Sequence, residues 1–446
     1  MRKRVAFVVS VVLVLCGVLA AMERQPNATY RARREALAAK AKGVIVLLAP
    51  LEEGSNVYGF KQDQNFYYLT GIPDPGAALL IAPAVEARGN SPARPYSEIL
   101  FLPPFNETQE KWTGPKLNPK TKDVTQVTGF DKVQPLDTLR AEVMRAMQGG
   151  ATVYTELVPP SERTELDFLK RSNAPISSIR PFWGQLRVVK DPGEVELIRK
   201  STDASAAAHL AVMKAMKPGL TEREVQALFM YEFMKRGSER PSYAPIVGSG
   251  FWGTVLHYNE NMHTIKDGDM VVMDVGSEYS MYATDITRTL PANGKFTARQ
   301  REIYEIVLGA QKAAEAAFQS GVSTLRGGPN ALHDVAMKYI DSNGKDKNGQ
   351  SLGRYFIHGL GHYVGLNVHD PGDGGPLRPG AVFTLEPGIY IPEENLGVRI
   401  EDMYWVDPNG KLVKLTANLP STVEDIERTM AEGTAPAAAA AKPKKK

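Results

Sequence analysis

Four carboxylates and one imidazole in the second half of the chain, Asp274, Asp285, Glu386, Glu401 and His362, stand in contexts that repeat one another. In VVMDVG (271–276) and FTLEPG (383–388) the acid closes an apolar run, with a glycine six positions before it (Gly268, Gly380) and another two positions after it. This is an internal duplication. Each copy then supplies a second acid on the returning segment, Asp285 in ATDITRT and Glu401 in GVRIED. Oxygen-rich ligands with a single imidazole suit hard or borderline divalent ions, and bridging carboxylates can hold two such ions about 3.5–4 Å apart. The pattern points to a dinuclear metal hydrolase.

Three further histidines accompany His362: His358 and His369 in HGLGHYVGLNVHD, and His257 in VLHYNEN. A lone histidine in a globular chain is ordinarily a hydrogen-bonded structural residue. Here Gly359, Gly361 and Gly365 let backbone and side chains approach a site closely, which favours function. One histidine as ligand with the others around it fits a metal centre, which needs supporting donors and groups that bind the transition state.

These side chains must be delivered by surrounding elements. MVVMDVGSEY and MYATDITRTL read as the two arms of a hairpin, and a turn at Tyr279–Ser280 sets Asp274 directly opposite Asp285 on one face. Two like charges that close repel unless a cation lies between them. Asp191-Pro192 starts a helix running to Met216, Thr221 and Glu224 form a capping box for a second that stops at Gly237, and TARQREIYEIVLGAQKAAEAAF is a third. In the first part of the chain GVIVLLAP, AALLIAP and EILFLPP are strand-like, with a helical pattern in LDTLRAEVMRAM, as in a small α/β domain.

At 446 residues and 43% apolar the chain exceeds one ordinary core, so two domains are expected, with a boundary near residue 185. Arg2, Lys3 and Arg4 contribute +3 and Lys442, Lys444, Lys445 and Lys446 contribute +4, so a net charge of +3 leaves −4 for residues 5–441. A mildly acidic body gives no sign of nucleic-acid binding. Residues 1–21, a basic start followed by an apolar run, have the layout of a secretory signal, with an uncleaved membrane anchor as the alternative, so an exported protein is expected. Cys16, the one cysteine, falls inside that segment, so a cleaved chain would have neither disulfides nor thiolate zinc sites. Residues 431–446 read as a low-complexity basic tail.

The order LHYNEN, MDVGSEYSMYATDITRT, HGLGHYVGLNVHD, LEPGIYI and GVRIED resembles the pita-bread metallopeptidases, and most closely the aminopeptidase P group; QDQNFYYLTGIPDPGAALLI and FNETQEKWTGPKL resemble that group's amino-terminal domain. The resemblance implies an α/β (α+β) fold: a small N-terminal α/β domain with a mixed sheet (24–184), then a pseudo-twofold pita-bread catalytic domain (185–430). It implies two divalent ions, Mn²⁺ first with Co²⁺ or Zn²⁺ as alternatives. Asp274 would be a ligand of one ion, Asp285 and Glu401 bridges, and His362 and Glu386 the rest of the other shell. Glu386 would also shuttle a proton, His257 and His369 would hold substrate and the tetrahedral intermediate, His358 would support them, and Arg399 would be a buried arginine near Glu401. The implied substrate is a peptide with a free amino terminus and proline second, and the implied assembly a homo-oligomer, dimer or tetramer. Prolidase and metal-free binding relatives share the scaffold; five intact ligand types disfavour the latter. The segment from His369 to Glu386 and the Glu386-to-Glu401 hairpin are short for the family, and both border the cleft.

Overall fold

The computed structural model describes residues 22–52, 57–84, 86–87, 95–148, 150–158, 160 and 163–434. Residues 1–21, expected to be a secretory signal, and most of the basic tail lie outside them. Among the described residues no helix is long and apolar enough to cross a membrane.

The first part of the chain builds a six-stranded mixed sheet, in the order Val133–Pro135, Ser97–Leu102, Ala78–Ala82, Val44–Leu48, Val153–Thr155, Ile176–Ser178. Its central strands are buried on both faces, which is why they read as continuous apolar runs. Ile45, Leu47, Leu79 and Ile81 face the main core, whereas Val44, Val46, Leu80 and Phe101 pack into a smaller cluster with Leu139 and Val143 of the helix Leu139–Ala146. A helix at Asn27–Ala41 buries the guanidinium of Arg34 against Glu98 in a two-pronged pair at 2.7 Å.

The second part follows its capping signals. Asp191, Thr221 and Thr297 each close a capping box, starting helices Pro192–Ala215, Glu222–Lys235 and Ala298–Ala317. Each half of the duplication contributes a three-stranded antiparallel sheet. One places Met270–Asp274 between Ile246–Ser249 and Thr287–Pro291, and the other places Asp402–Val406 between Val382–Leu385 and Leu412–Lys414. A hairpin, Gly388–Ile391 with Leu396–Arg399, joins the second sheet's arms. The halves meet where Thr287 and Glu401 form an antiparallel bridge, with the Glu401 N–H donating to the Thr287 carbonyl at 3.0 Å. This is the pseudo-twofold seam.

The register of the first hairpin differs from the expected one. Tyr279 pairs with Tyr282, so Ser280 and Met281 form the turn, both at positive φ (49° and 74°). Asp274 consequently lies opposite Thr287, not Asp285. Asp285 falls in a gap between Tyr282–Ala283 and Thr287–Pro291, where the ladder is interrupted. The turn lies one residue later than expected, and neither of its residues is the glycine or asparagine that marks such conformations.

The two parts are tied by charge. Arg33 reaches the capping residue Asp191 at 2.7 Å, and Arg187 donates to Asp370 at 2.5 Å and to Asn65 at 2.6 Å. Lys190 meets the other Asp370 oxygen at 3.0 Å. Arg187 thereby links the residue after His369 to Asn65 of the N-terminal domain.

Candidate metal centre

Asp274 ends its strand, Glu386 follows the end of Val382–Leu385, and Glu401 follows the hairpin arm Leu396–Arg399. All are brought to the seam. Asp274, Asp285 and Glu401 have carboxylate oxygens within 4.8 Å of one another, and so do the ligand atoms of His362, Glu386 and Glu401. These two triads share Glu401, and Asp285, His362 and His369 form a third group within the same limit. Asp285 also stands 3.3 Å from His362 Nε2, which lies 3.5 Å from Glu386. His362 Nδ1 sits 3.0 Å from the Tyr363 carbonyl, a bond that places its proton there and aims Nε2 at the acids.

Close packing explains the glycines. A Cβ on Gly276 would lie 1.8 Å from the Thr284 carbonyl, and one on Gly361 would lie 2.0 Å from the Thr384 carbonyl. Gly365 is crowded by the Asp370 carboxylate, but Gly359 faces open space, so only two of the three glycines around His362 are required by contact.

Asp274 and Glu401 are almost wholly buried, as is Asp285. Burial pushes Asp274 up to about 6, with Asp285 adding to the rise against the pull of Arg399. Glu386 is pushed up to about 7 by burial and by Asp285, against the pull of His362. Glu401 is driven well above its ordinary range by burial and then by Asp285, Glu386 and Asp274. Burial opposes charge on His362 too, yet Asp285 and Glu386 outweigh it and raise the imidazole to about 9; the same pairing outweighs burial at Asp285 and lowers it. So many carboxylates cannot ionise together without added positive charge. The donor set fits a divalent cation on a further count: Glu401 Oε2 accepts from Thr287 Oγ1 at 2.7 Å, while Oε1 is buried with no hydrogen-bond partner.

The remaining candidates surround this cluster. A cleft of about 490 Å³ is lined by all four histidines, with His257 and His369 exposed at its rim. The His369 ring lies 4.1 Å from that of His362. His358 Nε2 meets the Tyr390 hydroxyl at 2.8 Å, and burial together with Arg399 holds its ring down to about 4, hence neutral. Arg399 pairs with Asp274, at 2.7 Å, rather than with the Glu401 carboxylate. It also donates to Tyr390 at 2.7 Å and to Thr287 Oγ1 at 3.1 Å.

Sequence reasoning missed Tyr243, Thr287 and Tyr390. The Tyr243 hydroxyl lies 2.5 Å from both Asp274 and Asp285. Its one proton serves one carboxylate at a time. Tyr243 stands three residues before Ile246, the strand partner of Asp274, so correct strand pairing is the signal that locates it.

Metallopeptidase family M24 matches residues 196–408, and the N-terminal domain of aminopeptidase P matches residues 30–154. The Xaa-Pro aminopeptidase of Haemophilus influenzae is 32% identical over 92% of this chain and 99% of its own length. Among solved structures, proline aminopeptidase P II from Yersinia pestis covers 92% of this chain and 100% of its own at a TM-score of 0.79 and 30% identity. A zinc-substituted Escherichia coli aminopeptidase P in complex with product covers 92% and 99% at a TM-score of 0.80 and 28% identity. The chain belongs to metallopeptidase family M24. Within that family it is of the aminopeptidase P kind, with both domains of that group, the pita-bread fold and the peptide-hydrolysing activity of an aminopeptidase that uses a divalent metal.

Proposed function

We propose that this aminopeptidase holds two divalent ions, Mn²⁺ by preference, and releases the first residue from peptides with proline in the second position. The observation that carries the reading is the meeting at Glu401 of two triads, Asp274–Asp285–Glu401 and His362–Glu386–Glu401, with Glu401 Oε1 lacking any hydrogen-bond partner. Asp274, Asp285 and Glu401 would hold one ion, and His362, Glu386 and Glu401 the other, with Asp285 near both. Ions held by these residues would supply Lewis acidity, making hydroxide available from water near neutral pH and polarising the scissile carbonyl. Oxygen donors with one imidazole favour Mn²⁺, and the zinc-substituted relative supports Zn²⁺ as an acceptable alternative.

The protein's own groups do the rest. Glu386, a ligand that also lines the cleft, can take a proton from the attacking water and pass it to the leaving nitrogen. His257 and His369, on the cleft rim, donate to the carbonyl oxygen as charge develops there. Arg399 and His358 fix Asp274 and Tyr390 in place. A free amine bound among the carboxylates limits cleavage to the first residue. Proline has a fixed φ and its amide no N–H, so recognition by ring shape suits it better than a grip on the backbone.

The experiment is a peptide panel with Mn²⁺ supplied: Xaa-Pro-Yaa should lose Xaa quickly, Xaa-Ala-Yaa slowly, and the N-acetylated peptide not at all. Dipeptides hydrolysed far better than tripeptides would make the enzyme a prolidase. The reading includes a signal segment at residues 1–21 and a homo-oligomer, tested by amino-terminal sequencing and light scattering.

A further inference from the structure

We propose that Glu222 is a positioning residue that pins the loop carrying His257. Glu222 is fully buried at the first turn of Glu222–Lys235, and its carboxylate accepts four hydrogen bonds, all from neutral donors. One oxygen accepts from the Ser249 N–H at 2.9 Å and the Ser249 hydroxyl at 2.7 Å. The other accepts from the Tyr258 hydroxyl at 2.8 Å and the His263 N–H at 2.9 Å. Ser249 ends the strand Ile246–Ser249, so one carboxylate grips both ends of the loop between strand and His263.

His257 sits inside that loop, immediately before Tyr258. Within the loop a short turn at Gly250–Thr254 precedes His257, Arg399 donates to the Leu256 carbonyl at 3.4 Å, and near its far end the Asn261 amide bonds the Val247 N–H and the Pro245 carbonyl, so Glu222 is the anchor that joins the loop's two ends. Its aromatic packing depends on the same anchor, since Trp252 stacks on Tyr258 with ring centroids 4.9 Å apart and on His263 at 4.7 Å. The backbone of the helix start joins in, the Glu222 N–H donating to the His263 carbonyl at 3.0 Å. A negative charge in a first helical turn is favoured by the helix dipole, which accounts for a buried carboxylate among neutral partners.

Each Glu222 oxygen receives one backbone N–H. Hydroxyls can rotate to accept, but a backbone N–H cannot. A glutamine in either orientation therefore turns its NH₂ against a backbone donor and forfeits at least one buried bond. The loop, and with it His257, must move.

This rests on the proposed work of His257 on the transition state, and the test separates the two. Glu222→Gln, His257→Ala and the double variant are compared by kcat and KM on an Xaa-Pro-Yaa peptide, with ion content and melting temperature measured on each. Glu222→Gln is expected to lower kcat about tenfold with ion content unchanged, and to add less than about twofold in the His257→Ala background. Equal fold-losses in the two backgrounds overturn the inference while leaving the His257 reading intact; no loss from His257→Ala overturns both. Should Glu222→Gln not fold, Tyr258→Phe removes one donor to Glu222, together with the acceptor of the Met262 N–H, and is read by the same non-additivity, with the same outcomes.

Discussion

Arg399 Nη2 donates to Asp274 Oδ2 at 2.7 Å, so the arginine of the second half of the duplication neutralises the strand-end carboxylate of the first. The same guanidinium bonds Thr287, the residue that holds Glu401 Oε2. One cation thus orients acids from both halves.

Arg399→Lys keeps the charge but cannot span Asp274, Tyr390 and Thr287 together. The expected result is about 10–100-fold weaker divalent-ion affinity, measured by calorimetric titration of chelator-treated protein. Unchanged affinity would remove Arg399 from the site's architecture.

Removal of ions should change the pH dependence of stability. Glu386, Glu401 and His362 all have folded values raised above their unfolded ones, His362 to about 9. Their contribution is present at low pH and lost as pH rises through the folded values. His209 and His358, lowered to about 3 and about 4, act oppositely, but their effect is complete once pH passes the ordinary histidine range. Between pH 7 and 9 the chelator-treated protein should therefore lose melting temperature, and added Mn²⁺ should restore more at pH 9 than at pH 7. A chelated protein that grows more stable across that interval contradicts the assigned shifts.

His257→Ala and His369→Ala should each lower kcat by about 10²-fold or more, as for loss of an oxyanion donor, while elemental analysis finds the wild-type ion content. Loss of ions from either variant would move that residue from the transition state to the metal shell.

Much of this site is legible in the sequence because its signals are local. Asp274 and Glu386 each close an apolar strand and precede a closely packed glycine, Gly276 against the Thr284 carbonyl and Gly388 against the Tyr390 side chain, and capping boxes at Thr221 and Thr297 mark helix starts by fixed spacing. What escapes is set by non-local pairing. The Ser280–Met281 turn carries no glycine to mark it, and it sets Thr287, not the expected Asp285, opposite Asp274. Asp274 and Asp285 converge all the same, through the Tyr243 hydroxyl and not by direct opposition. Arg399 lies two positions from Glu401 in sequence, yet the hairpin carries its guanidinium across the seam to Asp274.

The central claim is that Glu401 is common to two ion sites, and ions bound per chain test it most directly. Chelator-treated wild-type protein titrated with Mn²⁺ and checked by elemental analysis should take up two ions, whereas Glu401→Ala should retain fewer than two and turn over no Xaa-Pro peptide. A wild-type protein that saturates with one ion, or a Glu401→Ala variant that binds two and keeps full activity, contradicts it.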